Sequence, residues 1–537
     1  MNGADGRLGT AVAALRRRSA SRDGLAVLAA VVSAVVLLPV GWLAVRALAA
    51  DADAYALLLS ETTLRVMVKT VALVAVVTGG SVLVGVPLAV LTVQTDLPFR
   101  RFFTVVSALP LAVPSYIGAF AFVSAFGPRG VLLGAFAPLG VESLPTIYGF
   151  HGAALVLTLF TYPYVFLTTR ASLLSLDPRL VEAARSLNRS RWQAFRRVTL
   201  PQILPGITAG ALLVALYALA DFGTPNIMHL SVFTQFIYTR YQGFMRDYAA
   251  LLSLQLLVVT ALILYLESRV TTSDADEFGG GARGGPVFAL GWWKAPAVGF
   301  ALLVASLCLV VPVGILLMWL FRSGPGYAAG TMSFSWTYGW NSVYVSVLAA
   351  LVATAFAVPV GLLSATSDSR LSTLADRATY VGYAVPGIVL GIALVTFGLD
   401  VAPSLYQDVP LLVFAYVVRF LPQAVGSVRS SALQVDRRLT EAARSLGHSP
   451  LQVFRKVTLP LIAPGVSAGA ALVFLTTMRE LPATLLLSPI GFDTLVTYIW
   501  RVKEAAYYGQ AAVPALVLIG VSALSLVVIL AQEGRNA

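Results

Sequence analysis

The sequence predicts an all-α, polytopic membrane protein with about 12 transmembrane helices in two parallel six-helix repeats. Three observations lead to this prediction. Hydrophobic residues make up 58% of the 537 residues and charged residues only 12%, which is about half the charged fraction of a soluble globular protein. Apolar runs of about 20 residues, long enough to cross a bilayer, recur along the whole chain. A polar segment of 30 residues occurs twice, 259 residues apart.

The first apolar run covers residues 25–48 and follows the arginines Arg16, Arg17 and Arg18. A secretory signal peptide has a shorter apolar core and a small-residue cleavage site, so this run is predicted to be the first transmembrane helix. The predicted spans are centred near residues 37, 80, 114, 158, 212, 257, 308, 352, 389, 417, 472 and 521.

A polar, glycine-rich stretch separates the sixth span from the seventh. Residues 272–286, TSDADEFGGGARGGP, have the composition of a flexible linker. The chain therefore divides into a first repeat (residues 1–271), a linker (272–290) and a second repeat (291–537). Because each repeat has an even number of spans, both enter the membrane from the same side, and the repeats are parallel rather than inverted.

The distribution of positive charge predicts the topology. The first copy of the polar segment holds six arginines between Arg179 and Arg197, and each would cost about 2.5–3.5 kcal/mol in the hydrocarbon core. Loops on the same side carry the Arg16–Arg18 cluster and the Arg100–Arg101 pair, whereas the opposite loops hold few cations. The positive-inside rule places both copies, both termini and the linker in the cytoplasm of a multi-pass protein of the cell inner membrane. This topology accounts for the net charge of +12 without a nucleic-acid partner.

The repeated segment is predicted to form two short helices joined by a tight turn. Residues 177–206 and 436–465 are identical at 20 of 30 positions. Asp177 is a good N-cap for the first short helix. The turn residue is Asn188 in the first copy and Gly447 in the second, the two residue types that best tolerate the left-handed conformation at a helix end.

The second short helix of the segment begins at a predicted capping box. Ser190 and Gln193 have the S-x-x-Q spacing, which Ser449 and Gln452 repeat. The dipeptides at 200–201 and 459–460, both Leu-Pro, are expected to end this helix. A DNA-binding role is disfavoured because spans on both sides hold the segment against the bilayer. A plain connector has no reason to keep so many identical positions.

The segment resembles the EAA loop of the permease subunits of ABC importers, and two copies in one chain resemble the fused, twelve-helix permeases. The pattern is E-A-A, three residues, then G, ending in L-P. The resemblance implies a type I importer permease fold, in which the first short helix couples to a cytoplasmic ATPase. The residues that carry it are Glu182, Ala183, Ala184, Asn188, Glu441, Ala442, Ala443 and Gly447. Asn188 departs from the glycine of the pattern, so the two contacts are expected to be unequal.

Three further segments resemble the ferric iron branch of these permeases. They are ALPLAVPSYIGAFAF (108–122), DFGTPNIM (221–228) and MRELPATLLLSPIGFDTL (478–495). Thiamine, sulfate, phosphonate and polyamine permeases share much of the pattern and remain alternatives for the cargo. The resemblance implies a non-catalytic subunit with two partners, a cytoplasmic ABC ATPase dimer and an extracytoplasmic substrate-binding protein.

The chain has no sequence motif for chemistry of its own. No G-x-x-x-x-G-K-[ST] phosphate loop occurs, so ATP is expected to be used by a partner subunit and no cofactor is expected on this chain. The single cysteine, Cys308, and three widely spaced histidines give little support to a metal site. An ion-driven secondary transporter stays an alternative, but it would not need two basic docking loops. A membrane-embedded enzyme would need clustered catalytic groups.

Charged residues near the spans are candidates for the translocation path. Asp221 and Glu480 occupy equivalent positions near the outer ends of the two fifth helices. Each is either a hard oxygen group that meets a cation or a structural acid, with Arg479 as a ready partner for Glu480. Arg419 lies within a predicted span, where charges usually face a cavity or the bundle interior. It either lines the path or pairs with a carbonyl or an acid.

Prolines in matching spans are candidate gate positions. Pro163 and Pro422 are predicted to kink the fourth spans, and Pro114 and Pro386 the third spans. Such breaks expose backbone groups that only a cavity or a neighbouring chain can satisfy.

Overall fold

The computed structural model describes residues 4–127, 130–136, 138, 140, 142–143, 145–186, 190–271, 288–322, 332–367 and 369–536. Within these residues the secondary structure is helical, with an isolated bridge between Thr95 and Phe288 and no strand. The same residues contain 11 helices long and apolar enough to cross a membrane, or up to 12 if the bent pair Arg370–Gly382 and Gly387–Asp400 is one span. The predicted all-α, multi-pass fold is confirmed.

The α-helices are numbered in chain order. Those of the first repeat are α1 (Ala4–Leu48), α2 (Ala52–Leu58), α3 (Glu61–Gln94), α4 (Arg100–Ala108), α5 (Ser115–Phe126), α6 (Val131–Phe136), α7 (Phe150–Ser175), α8 (Pro178–Ser186), α9 (Arg191–Ala194), α10 (Leu200–Ala220), α11 (Gly223–Ile227), α12 (Phe233–Gln242) and α13 (Arg246–Thr271). Those of the second repeat are α14 (Lys294–Ala305), α15 (Val311–Phe321), α16 (Trp336–Thr366), α17 (Arg370–Ala384), α18 (Gly387–Asp400), α19 (Val409–Leu433), α20 (Arg437–Ser445), α21 (Pro450–Val453), α22 (Leu459–Met478), α23 (Pro482–Leu487), α24 (Leu495–Glu504) and α25 (Ala512–Asn536).

The helices form two compact units that do not coincide with the two sequence repeats. The first unit combines Met1–Leu48 with Thr337–Thr494. In it α1 packs on α17 and α18. The Ser33 hydroxyl donates to the Ala375 carbonyl at 3.4 Å, and the Trp42 ring meets Phe397 edge-on at 5.8 Å. The first span therefore packs against helices of the second repeat.

The second unit combines Ala49–Trp336 with Leu495–Ala537. Its α14 is fastened to the loop between α3 and α4 through Asp96. This carboxylate accepts from the Leu290 backbone N–H at 2.7 Å and pairs with the Lys294 ammonium at 2.7 Å. The hydrogen bond from Lys294 lowers the pKa of Asp96 below its ordinary value. The seventh span, which contains α14 and α15, therefore packs against helices of the first repeat, and its α15 packs on α5.

The third span of each repeat is broken at a proline rather than kinked. Pro114 is the N-cap of α5 and Pro386 the N-cap of α18, and the helices on the two sides of Pro386 are bent by 97°. The preceding residues, Val113 and Val385, have ψ values of 115° and 118°. This is the extended conformation that a following proline imposes, so the helix has to stop before it.

The other prolines interrupt their helices less than the sequence predicted. Pro163 and Pro422 lie inside the continuous helices α7 and α19, and the predicted kinks stay predictions. The expectation that the Leu-Pro dipeptides end the second short helix of each repeated segment is wrong. A π-helical turn, 195–199 or 454–458, carries the helix straight into α10 or α22. The wider turn tolerates the missing proline N–H without a break.

Candidate functional site

The repeated segment folds with the predicted caps in both copies. The Asp177 carboxylate accepts from the Arg179 backbone N–H at 2.9 Å, and Asp436 accepts from Arg438 at the same distance. These bonds satisfy donors that the first turn of a helix leaves unpaired. The first short helices, α8 and α20, therefore begin at equivalent positions.

The predicted capping boxes are confirmed. Gln193 N–H donates to the Ser190 hydroxyl at 3.3 Å, and Ser190 N–H donates back to the Gln193 side chain at 3.2 Å. Ser449 and Gln452 form the same pair of bonds at 3.3 and 2.9 Å. Each box fixes the angle at which the chain enters the next helix.

The predicted turn is confirmed in the second copy. Gly447 has a φ of 84°, in the left-handed region that favours glycine. Asn188, together with residues 187 and 189, lies outside the described residues. The inequality of the two contacts stays a prediction.

The segment presents a surface of small and apolar side chains to solvent. Glu182, Ala183, Glu441 and Ala442 are exposed, Ala184 is half-buried and Ala443 is buried. Large apolar side chains that the sequence reading did not single out are also exposed: Leu180, Trp192, Leu439, Leu446 and Leu451. Trp192 and Leu446 are 68% and 80% exposed. Five exposed large apolar side chains within two short segments outside the spans are consistent with a surface that a partner covers.

A buried ion pair joins α19 to the end of α22 in the first unit. Arg419 Nε lies 3.3 Å from Glu480 Oε2, and the two side chains are 15% and 7% exposed. Arg419 Nη1 also donates to the Val385 carbonyl at 2.9 Å, at the break between α17 and α18. The sequence suggested Arg479 as the partner of Glu480, whereas in the structure Arg419 forms the ion pair with Glu480.

The equivalent carboxylate of the first repeat, Asp221, is contacted by hydroxyl groups. The Ser115 hydroxyl donates to Asp221 at 3.1 Å, and the Tyr217 hydroxyl donates to Ser115 at 3.1 Å. Phe160 occupies the position that matches Arg419, and its ring lies against Gly118, where a Cβ would overlap it. The first repeat therefore has hydroxyl contacts to its carboxylate and an aromatic ring at the position of Arg419.

Both carboxylates also cap the short helix that follows them. Asp221 Oδ2 accepts from the Thr224 N–H at 3.1 Å, and Glu480 Oε1 accepts from the Ala483 N–H at 3.1 Å. The acids thus have protein donors, which favours their structural role over that of free ligands. Among the residues that the structure describes, no group of three or more His, Cys, Asp or Glu side chains is placed to hold a metal ion.

Gly387 is a site residue that sequence reasoning missed. It follows Pro386 at the start of α18, where Ser115 follows Pro114 at the start of α5. A Cβ at Gly387 would overlap Glu480 Oε1 and lie 3.0 Å from Arg419 Nη1. The glycine next to the proline was visible in the sequence, but the approach of the ion pair to it was not.

The two buried prolines differ in their surroundings. Pro422 lines a cavity of about 650 Å³ in the first unit, whereas Pro163 lies buried within α7 of the second unit. The fourth spans of the two repeats therefore share a proline but present different surfaces around it.

Comparison with known proteins identifies relatives along most of the chain. The family described as "Binding-protein-dependent transport system inner membrane component" matches residues 81–272 and 357–535. The Fe(3+)-transport system permease protein FbpB 2 of Haemophilus influenzae is 32% identical over 455 residues, covering 84% of this chain and 86% of its own length.

Two further relatives differ in length and name. The ferric transport system permease protein FbpB of Actinobacillus pleuropneumoniae is 24% identical over 434 residues, which cover 77% of this chain and 63% of that protein. A probable molybdenum ABC transporter permease protein of Haloferax volcanii is 30% identical over 249 residues, which cover 44% of this chain and 91% of that protein. A relative half as long therefore matches one half of this chain.

Proposed function

Because the chain belongs to the family of binding-protein-dependent transport system inner membrane components, we propose that it is the fused permease subunit of an ABC importer for ferric iron. The observation that supports ferric iron as the cargo is the 32% identity, over 84% of the chain, with a relative named as an Fe(3+)-transport system permease. The duplicated segment supports the remainder of the proposal, because a pair of ATPase subunits requires two docking elements.

Each copy of the segment docks on one subunit of a cytoplasmic ATPase dimer. The docking residues are Glu182, Ala183, Ala184 and Asn188 in the first copy and Glu441, Ala442, Ala443 and Gly447 in the second. The exposed alanines permit close approach, and exposed apolar side chains such as Trp192 and Leu446 supply area to bury. Capped ends hold each short helix rigid, so that movement of the ATPase is transmitted to α10 and α22.

The topology follows the distribution of arginine and lysine. Both termini, the linker and both copies of the segment face the cytoplasm, and the chain resides in the cell inner membrane. An extracytoplasmic substrate-binding protein delivers the cargo to the opposite face. The chain itself is non-catalytic and holds no cofactor, and ATP is hydrolysed by the partner subunits.

The five candidate path residues shape the path rather than bind iron. Arg419 and Glu480 hold the broken third span of the second repeat, and Asp221 does so in the first through Ser115. Pro163 and Pro422 lie in the adjoining fourth spans. Ligand side chains that bind a trivalent cation tightly would trap it, whereas conduction requires sites that release it.

Uptake of labelled ferric iron tests this function. Cells lacking the chain are compared with cells that regain it, with labelled thiamine, sulfate and molybdate as parallel cargoes. We expect iron uptake to disappear and return with the chain while the other cargoes stay constant. If iron uptake is indifferent and another cargo responds, the iron assignment is wrong and the importer assignment stands.

A further inference from the structure

The helices α17, α19 and α22 of the first unit line an open cavity of about 650 Å³ whose wall contains six polar side chains. Its polar lining consists of Tyr380, Gln423, Ser427, Ser430, Ser431 and Gln434. It lies along the second half of α19, one turn beyond Arg419. The docking segment begins at Asp436, two residues after Gln434. The cavity therefore lies between the buried ion pair and the segment proposed to bind the ATPase.

The lining supplies oxygen atoms but no charge. None of the described residues that line the cavity is Asp, Glu, Lys or Arg. Two charged residues of the lining helices are paired with each other, since Arg429 of α19 lies 3.1 Å from Asp376 of α17, to which the Ser364 hydroxyl also donates at 3.3 Å. Neutral amide and hydroxyl oxygens replace part of the hydration shell of a hard cation without holding it as strongly as carboxylates do.

Lipid is a poor occupant for such a cavity. The Ser427 hydroxyl donates to the Gln423 carbonyl and Gln423 Oε1 accepts from Thr476, but the side chains of Ser430, Ser431 and Gln434 would lack partners in hydrocarbon. Each unsatisfied group costs several kcal/mol, about 4–8 in a solvent that forms no hydrogen bonds. A polar cavity of this volume has room for several water molecules, each of which needs two to four polar partners. The chemistry of the wall therefore indicates an aqueous cavity.

Part of the polarity is specific to the second repeat, whereas Ser427 and Ser431 match the polar residues Thr168 and Ser172 of the first. At the 259-residue offset, Gln423, Gly426, Ser430 and Gln434 correspond to Tyr164, Leu167, Ala171 and Ser175. The Tyr164 ring packs on Tyr217 with centroids 6.0 Å apart, whereas Thr476, the equivalent of Tyr217, donates to Gln423 Oε1 at 3.2 Å. Thus an aromatic pair in the first repeat is replaced by a polar pair in the second, and a leucine is replaced by glycine.

We propose that this cavity is a water-filled release site, in which neutral side-chain oxygens hold a hydrated or oxygen-chelated cation weakly on its way to the cytoplasm. The inference rests on the proposed importer function and adds a location and a ligand chemistry to it. The proposal places this release site in the second repeat alone.

Cysteine labelling tests whether the cavity is aqueous. Cys308 is the only cysteine of the sequence and is fully buried, so Cys308→Ser gives a clean background. Gly426→Cys and Ser427→Cys are placed on the wall, and Val425→Cys, at a fully buried neighbouring position, is the matched control. The complex with its ATPase is treated from the cytoplasmic side with a membrane-impermeant thiol reagent.

The labelling has one outcome that supports the proposal and two that overturn it. Reaction at positions 426 and 427 at least tenfold faster than at 425 supports an aqueous cavity. The proposal is overturned if positions 426 and 427 stay unreactive while Arg101→Cys, exposed on α4 outside the docking segment, reacts. It is also overturned if position 425 reacts as fast as the wall positions.

Filling the cavity tests whether the cargo uses it. Gly426→Leu introduces the side chain of the first repeat, and Gly426→Ala is the control, because the nearest atom to an added Cβ is Tyr380 Oη at 4.0 Å. We expect Gly426→Leu to lower iron uptake at least tenfold with the ATPase still bound, and Gly426→Ala to retain it. Unchanged uptake in Gly426→Leu overturns the inference while the importer function stands. Should wild-type protein carry another cargo instead of iron, the iron assignment fails and the same comparison is made with that cargo.

Discussion

At the scale of single residues, the two repeats use different chemistry at one equivalent site. Phe160 in the first repeat corresponds to Arg419 in the second, a difference visible in the sequence. Each of these side chains needs space that a glycine on another helix provides. Gly118 makes room for the Phe160 ring, and Gly387 makes room for the ion pair of Arg419 with Glu480. The sequence identified the charged residues, but their partners lie on other helices and required the fold.

Gly387→Ala tests this steric reading. The added Cβ would overlap Glu480 Oε1 and lie 3.0 Å from Arg419 Nη1, so the ion pair has to move. Since alanine otherwise favours a helix over glycine by about 1 kcal/mol, a fall in the midpoint of thermal unfolding in detergent would be due to the contact. Gly299→Ala in α14, with open space around it, is expected to be neutral or stabilising. Equal effects of the two substitutions would contradict the reading.

Removing one or both members of the ion pair tests its energetic role. Arg419→Leu leaves the Glu480 carboxylate buried without its cation, which costs about 3–5 kcal/mol in comparable pairs. The double variant Arg419→Leu with Glu480→Leu removes both charges and is expected to recover a large part of that loss. Unfolding by denaturant measures both variants. A double variant less stable than the single one would show that the pair is not coupled in this way.

At the scale of elements, the sequence predicts what depends on local chemistry. The caps at Asp177 and Asp436 and the two capping boxes need only neighbouring residues, and the structure contains them. The helix ends predicted at the Leu-Pro dipeptides were wrong, although the missing N–H of a proline usually stops a helix. Packing of α10 on α7 and of α22 on α19 keeps the chain helical through a π turn. The 97° bend before α18 likewise depends on what the helices pack against.

The turn of the docking segment yields a prediction at this scale. Gly447→Asn is expected to preserve ATPase binding, because asparagine tolerates the left-handed φ of 84° and already stands at position 188. Gly447→Val is expected to weaken binding, since a β-branched residue is strained there by about 1–2 kcal/mol. The affinity of the purified chain for its ATPase measures both. Equal affinity of the two variants would contradict a role for the turn.

At the scale of the whole molecule, the first span of each sequence repeat belongs to the compact unit that holds most of the other repeat, and α24 and α25 of the second repeat also belong to the second unit. The contacts of α1 with α17 and α18 include the pair Arg46–Asp400 at 3.8 Å. A division of the sequence into repeats does not reveal this exchange, because a repeat records ancestry of the chain and not the packing of its spans.

Deletion of residues 1–48 tests the exchange. Loss of α1 exposes the helices it covers, so hydrogen exchange is expected to accelerate in α17 and α18 more than in α3 and α7. The measurement is hydrogen–deuterium exchange with mass spectrometry on the full chain and the deletion variant in detergent. Acceleration confined to α3 and α7 would mean that α1 packs on its own repeat.

If one chain supplies both docking elements of an ATP-driven iron importer, transport requires each of the two elements. ATP-dependent uptake of labelled ferric iron into liposomes containing the purified chain, its ATPase and the loaded binding protein measures this requirement. Ala183→Gln and Ala442→Gln each enlarge an exposed residue of one docking surface. We predict that uptake requires ATP and the ATPase and falls at least tenfold in either variant. Uptake that persists without the ATPase, or that persists in each of the two variants, would contradict the proposal that both docking elements come from this chain.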